Sequence, residues 1–292
     1  MASELGKRVA VAAVGIPLAV GLVYVGGWLL ALALALIAAA AAAELYRLAA
    51  HRGVRPLVGP GVLLATVPIL LAAGFPDPAE AAAWSWLVFI AAALALAAAV
   101  IFVRGVEGAP LGVMAVTFFG ALFAGGTLSY AILLRAMPVV GQGTAPQWVG
   151  PALLAYPLTI TWVSDTFAYF GGRRFGRHKL IPAVSPRKTV EGAISGVLGA
   201  VAAGALYAHF VFGAWLGVPM SVVAGAVIAA IISPVAQIGD LAESLLKREA
   251  GVKDSGTLLP GHGGVLDRFD ALFFSIPVTY WLLSIVLRGS LG

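Results

Sequence analysis

The sequence predicts an all-α polytopic integral membrane protein with about nine transmembrane helices and a polar site at the cytoplasmic face of its C-terminal half. Composition is the first observation behind this. The 292 residues are 61% hydrophobic and 11% charged, about half the charge of a soluble domain, and the mean hydropathy is +1.00. The second is a series of apolar runs that reach or approach the ~20 residues needed to cross a bilayer as a helix. The third is the placement of the basic residues, which alternates with those runs.

In chain order the helices are expected at 9–25, 28–46, 57–75, 82–103, 112–134, 149–170, 192–216, 219–238 and 265–287. Lys7 and Arg8 before the first run resemble a signal sequence. That run contains Pro17 and leads directly into further spans, so it is read as an uncleaved first helix. The alanine-rich stretch IAAAAAAELYRLAA, 37–50, is helical in kind. Glycine and proline interrupt 57–75, and Pro234 predicts a kink or break in 219–238. With a cytoplasmic N-terminus, 16 of the 18 Lys and Arg residues fall inside, and only Arg135 and Arg288 fall outside. Trp28, Trp84, Trp86, Trp148 and Trp215 then lie at outer helix ends, as an interfacial aromatic belt requires. This places the chain as a multi-pass protein of the cell (inner or plasma) membrane.

Two parts are expected. Residues 1–148, about five spans, are rich in Ala, Leu and Gly with little polar chemistry. Residues 149–292, about four spans with cytoplasmic loops 171–191 and 239–264, hold eight of the 13 acidic residues. The absence of cysteine excludes disulfides, thiolate nucleophiles and thiolate metal sites. The four histidines are scattered and form no HExxH helix. No lipidation motif is visible, and nothing indicates nucleic acid as a partner.

Four polar pieces can meet at the inner surface. In WVSDTFAYFGGRRFGRHKL, 162–180, Asp165 lies within a span. An intramembrane carboxylate is a functional hypothesis, against the alternative of a structural pair with a nearby Arg. In PAVSPRKTVEG, 182–192, Ser185-Pro186 is expected to start a turn, with Arg187, Lys188 and Thr189 at a helix entrance. That arrangement can cradle phosphate or simply bind anionic lipid heads. In the third piece Asp240, Glu243, Ser244 and Lys247 share one face if the segment is helical. The fourth is GHGGVLDRFD, 261–270, whose glycines permit tight turns and close approach of backbone to ligand. Asp267 would sit in the first turn of a helix, where the dipole favours an ionised carboxylate. Carboxylate oxygens suit Mg²⁺, and the basic residues suit polyphosphate. The residues alone point to metal-assisted phosphate chemistry or phosphate binding at a membrane surface.

The span from Ser244 to Asp270 contains eight of the 31 charged residues. Ser244, Leu246-Lys247-Arg248, Lys253-Asp254, Gly256, Leu259-Pro260, His262-Gly263-Gly264-Val265 and Asp267-Arg268-Phe269-Asp270 resemble the signature of the phosphatidate cytidylyltransferases, also called CDP-diacylglycerol synthases. The resemblance covers about 150–270, including SDTFAYFGGRRFGRHKL and SPRKTVEG; residues 1–148 match only in hydropathy.

The resemblance implies cytidylyl transfer from CTP to phosphatidate in a membrane, giving CDP-diacylglycerol and diphosphate. It further implies Asp240 and Asp267 as metal-facing carboxylates for Mg²⁺, with a second, monovalent cation left open. Lys247, Arg248, Lys253 and Arg268 are implied for the CTP phosphates, with Ser244 beside them. Ser185, Arg187 and Lys188 are implied for a phosphate of either substrate. Asp165 would support the site or touch a metal, and His262 would contact phosphate or shuttle a proton. Asp254 and Asp270 would lie behind the ligating groups, and a homodimer is left open. Two further readings stand beside this one. The first is a transporter or flippase for an anionic lipid or nucleotide, which a helix broken at Pro234 would suit. The second is a scaffold whose charges only bind lipid. A CDP-alcohol phosphotransferase is disfavoured because its DG-x2-AR element does not occur.

Overall fold

The computed structural model describes residues 2–75, 77–139, 143–258 and 263–288. The helical segments are α1 (Ala2–Val25), α2 (Gly27–Ala50), α3 (Val58–Gly74), α4 (Pro78–Val103), α5 (Pro110–Ala121), α6 (Thr127–Arg135), α7 (Val149–Phe175), α8 (Val190–Leu206), α9 (Val222–Glu249) and α10 (Leu266–Arg288). A π-helical turn, Leu122–Gly126, joins α5 to α6, and a second π-helical stretch, Tyr207–Trp215, prolongs α8. With α5 and α6 counted as one rod, the described residues form nine helices, close to the places the hydropathy predicts.

Six of these are long and apolar enough to cross a membrane: Gly27–Ala50, Pro78–Val103, Pro110–Arg135, Val190–Trp215, Val222–Glu249 and Leu266–Leu287. Val58–Gly74 is a shorter apolar helix, and Gly15–Val25 is an apolar stretch of α1. The chain is therefore a largely helical, multi-pass membrane protein.

Local sequence explains the helix ends. Gly26 and Gly27 both take positive φ, which lets α1 turn directly into α2. Asp77 caps α4, its Oδ1 accepting from Ala79 N at 2.7 Å, with Pro78 at the first helical position. Gly251, at φ 72°, closes α9 with Val252 N donating to Lys247 O and Gly251 N to Arg248 O. That pair of bonds is a Schellman motif.

Three expectations are corrected. The α9 helix is not broken at Pro234 and continues to Glu249, so 239–249 is helix rather than loop. A proline is tolerated inside a span where neighbouring groups take over the freed backbone carbonyl, and LAESLLKRE is made of good helix formers. Likewise α7 extends to Phe175, so the connection to α8 is shorter than 171–191. Finally, Ser185-Pro186 does not start a turn. Strands β1 (Lys179–Ile181) and β2 (Ser185–Thr189) form an antiparallel hairpin, and the turn precedes Ser185. The residue before a proline is pushed away from the helical region, which favours extended backbone there.

The chain divides into two compact units: residues 1–133 with 246–269, and residues 134–245 with 270–292. Residues 246–269 thus fold with the N-terminal helices. In that first unit Tyr46 is fully buried, and its hydroxyl donates to Thr117 O at 2.7 Å. Its ring lies against Gly61 and Gly120, where a Cβ would collide with it. Small residues that let helices close in this way are the usual basis of packing between membrane helices.

In the second unit α7 and α8 are in close contact along their length. Gly171, Gly192, Gly196 and Gly199 leave no room for a Cβ there. Tyr156 hydroxyl donates to Gly225 O at 2.6 Å, joining α7 to α9. A buried polar chain runs beside it. Ser164 Oγ lies 2.7 Å from Ser233 Oγ, and Gln237 Nε2 donates to Ser233 Oγ at 3.2 Å and to Ala193 O at 3.3 Å. Buried polar groups must be satisfied in this way, or each would destabilise the fold.

Candidate active site

The predicted residues fall into two groups, one in each unit. In the unit 134–245 with 270–292, the hairpin presents Lys188, whose Nζ lies 2.7 Å from Asp240 Oδ2 on α9. Thr189 fixes the hairpin's exit by capping α8, its hydroxyl accepting from Gly192 N at 3.1 Å. Glu191 in the first turn of α8 ties the chain just before β1. It accepts from Arg177 N at 3.0 Å, and its Oε1 lies 2.6 Å from His178 Nδ1.

Ser244, one turn after Asp240, donates to Asp240 Oδ1 at 3.4 Å. This bears out the shared helical face. Asp165 on α7 is exposed and lies within electrostatic reach of both Asp240 and Lys188. The grouping is two carboxylates around one ammonium. Ser185 and Arg187 stand on the same strand as Lys188, with Ser185 half-buried and Arg187 exposed.

In the unit 1–133 with 246–269, Lys247 Nζ lies 2.7 Å from Asp267 Oδ1. This pair is largely shielded, with side chains 13% and 8% exposed. Asp267 sits in the first turn of α10, as expected. Its Oδ2 accepts from Gly264 N at 2.8 Å, Ser255 N at 3.0 Å and Ser255 Oγ at 2.9 Å. Gly263 takes φ 80°, and a Cβ there would press on Asp267 Oδ2.

Arg248, Lys253, Asp254 and Arg268 are exposed, and Arg248 Nη1 donates to Val252 O at 3.4 Å. Asp270 belongs to the other unit, where its Oδ1 accepts from Ala271 N at 2.7 Å. His262, with Leu259, Pro260 and Gly261, lies outside the described residues. Each of the two expected metal carboxylates is thus paired with a lysine.

The description "Cytidylyltransferase family" matches residues 6–286. The chain belongs to the cytidylyltransferase family. A phosphatidate cytidylyltransferase of Synechocystis sp. is 32% identical over 299 residues, covering 96% of this chain and 97% of its own. The chloroplastic phosphatidate cytidylyltransferase 4 of Arabidopsis thaliana is 33% identical, covering 98% of this chain and 75% of its own. A phosphatidate cytidylyltransferase of Brucella abortus is 40% identical over 201 residues, covering 68% and 71%. The family match runs through the N-terminal helices as well as the signature, so it extends beyond the stretch where motifs are visible.

The sequence reading of this cytidylyltransferase missed Glu44 and Ser255. Glu44 is completely buried near the end of α2. It accepts from Val265 N at 3.1 Å, Leu266 N at 2.8 Å and Ser255 Oγ at 3.0 Å, and Arg47 lies 3.7 Å away. The signal was present, because Glu44 is a carboxylate inside a predicted span, the same feature that singled out Asp165. Gly263, at φ 80°, bears out the tight turn expected of the glycine stretch. A Cβ at Gly264, or at Gly256, would run into the Glu44 carboxylate, so close approach there is to the chain itself rather than to a ligand.

Proposed function

We infer that the protein transfers the cytidylyl group of CTP to phosphatidate, giving CDP-diacylglycerol and diphosphate. The observation that carries this is the family match across residues 6–286, which includes the whole Ser244–Asp270 signature. A phosphate oxygen of phosphatidate attacks the α-phosphorus of CTP. The new P–O bond forms as the α–β anhydride bond breaks, and the electron pair leaves with diphosphate. Both reactants are anions, so positioning and charge neutralisation are the main work of the protein.

Lys247, Arg248, Lys253 and Arg268 are assigned to the CTP phosphates. Ser185, Arg187 and Lys188 are assigned to a phosphate of either substrate. Ser244 supports Asp240, and Asp165 supports the Lys188–Asp240 pair. His262 is assigned a phosphate contact or a proton relay. Among the described residues no three carboxylates or histidines are grouped to hold a metal. One or two carboxylates completed by substrate phosphates and water is the donor set Mg²⁺ commonly takes. Asp240 and Asp267 each supply hard oxygen donors of that kind, and the lysine beside each supports a cation at that position. Bound Mg²⁺ would supply charge neutralisation for the two anions and for the leaving diphosphate.

The proposed placement is nine spans with the N-terminus in the cytoplasm and the site facing it, supported by the distribution of basic residues. A homodimer is compatible with this reading. The transporter alternative loses the feature that suggested it, because α9 runs through Pro234.

The test is made in detergent. Solubilised protein, with no sealed compartment, should convert phosphatidate and CTP to a cytidylylated lipid. Passage of either substrate across sealed vesicles with no product would contradict the assignment.

A further inference from the structure

The signature loop is gripped from outside itself. Glu44 belongs to α2, more than two hundred residues from the segments it binds. A carboxylate near a helix C-terminus faces the negative end of the dipole, and full burial adds a desolvation penalty. These terms are offset where the α10 helix begins, because the Val265 and Leu266 N–H groups are among the donors that a helix start leaves without partners. Ser255 adds a third donor from the other limb of the loop. Glu44 therefore joins the chain before residues 259–262 to the chain after them.

The same peptide units hold Asp267. Ser255 Oγ lies 3.0 Å from Glu44 Oε2 and 2.9 Å from Asp267 Oδ2, so one hydroxyl spans both carboxylates. Gly264 N donates to Asp267 while the next N–H, of Val265, donates to Glu44. Gly264 and Gly256 have no Cβ to push the loop away from Glu44. A shift of the Glu44 carboxylate must move Ser255 and Gly264, and these set Asp267 Oδ2 and thereby the oxygen that meets Lys247.

We propose that Glu44 is a positioning residue for cytidylyl transfer, acting through Ser255 and the 264–266 backbone to hold Asp267 and Lys247 in working geometry. This rests on the reading of Asp267 and Lys247 as groups that face the reactants. It gives the N-terminal helices a part in the reaction.

Glu44→Gln keeps the shape but turns an NH2 toward N–H donors. In detergent, with phosphatidate, CTP and Mg²⁺, its kcat per folded molecule should fall roughly ten- to a hundred-fold. The KM for phosphatidate should stay within about twofold, since Glu44 itself touches no substrate. The chain has no cysteine, so a single Thr257→Cys can carry a spin label in the loop and Val106→Cys a control label. Glu44→Gln should mobilise the first label and leave the second unchanged.

A purely structural role would lower the folded yield without changing turnover per folded molecule. Normal turnover in folded Glu44→Gln, or lost turnover with an unmoved loop label, overturns the proposal. If Glu44→Gln does not fold, Ser255→Ala decides: a folded variant with reduced turnover supports the link, and one with normal turnover overturns it. Asp267→Asn separates the two levels. If it is inactive while Glu44→Gln is normal, only the positioning role fails; if it is fully active, the reading of Asp267 itself fails.

Discussion

Lys188 and Arg268 have different surroundings, and on that difference we propose that they serve different substrates. Lys188 is half-buried on β2, just before α8 begins, and is paired with Asp240, which suits the proposed contact with a lipid phosphate. Arg268 is exposed at the start of α10, beside the glycine loop on the side where CTP would arrive. Lys188→Ala should mainly weaken phosphatidate use, and Arg268→Ala mainly CTP use. Each lost charge-assisted contact should contribute about 1.5–3 kcal/mol, or roughly ten- to a hundred-fold in kcat/KM for that substrate. Steady-state kinetics with each substrate varied in turn would show it; the reverse pattern would mean that the assignment is inverted. At this scale the charged residues of the signature were legible because charge is rare in so apolar a chain. Glu44 carried the same signal, a carboxylate inside a predicted span, but its partners, Ser255 and two backbone N–H groups more than two hundred positions away, were marked by no local spacing.

At the scale of elements, close helix packing rests on places where a glycine faces a large ring. Tyr46 on α2 is enclosed by Gly61 of α3 and Gly120 of α5. Gly120→Ala should destabilise the fold by about 1–3 kcal/mol through overpacking. The same change made in a Tyr46→Ala background should cost clearly less, since the ring it strikes has gone. Thermal unfolding of the four proteins of that cycle checks it, and additive effects would show that the two residues do not meet. Helix positions were readable from hydropathy. The β1–β2 hairpin was not, because a three-residue strand and a five-residue strand carry too little periodic pattern. Pro234 misled only as to a break: its local rule is real, yet α9 continues through it to Glu249.

At the scale of the whole molecule, the basic residues predict which segments face the cytoplasm, and the absence of cysteine makes that testable with single reporters. Cysteines introduced at Arg52, His178 and Lys253 should be shielded from an impermeant reagent applied to intact cells. Labelling of any one would refute the orientation. The sequence divides at residue 148 by composition, whereas the folded chain divides into interleaved units, with 246–269 joining the N-terminal helices. Composition could not show this, because the ties are made by Glu44 and by backbone groups.

The central claim is metal-assisted cytidylyl transfer, and the most direct measurement follows two labels at once. Purified protein is given phosphatidate and CTP labelled at either the α- or the γ-phosphorus, with Mg²⁺ or with a chelator. The α-label should pass to the lipid and the γ-label to diphosphate. Both transfers should stop with the chelator and in folded Asp240→Asn and Asp267→Asn. Transfer of the γ-label to lipid, or unchanged α-transfer in both variants at limiting Mg²⁺, would contradict the account.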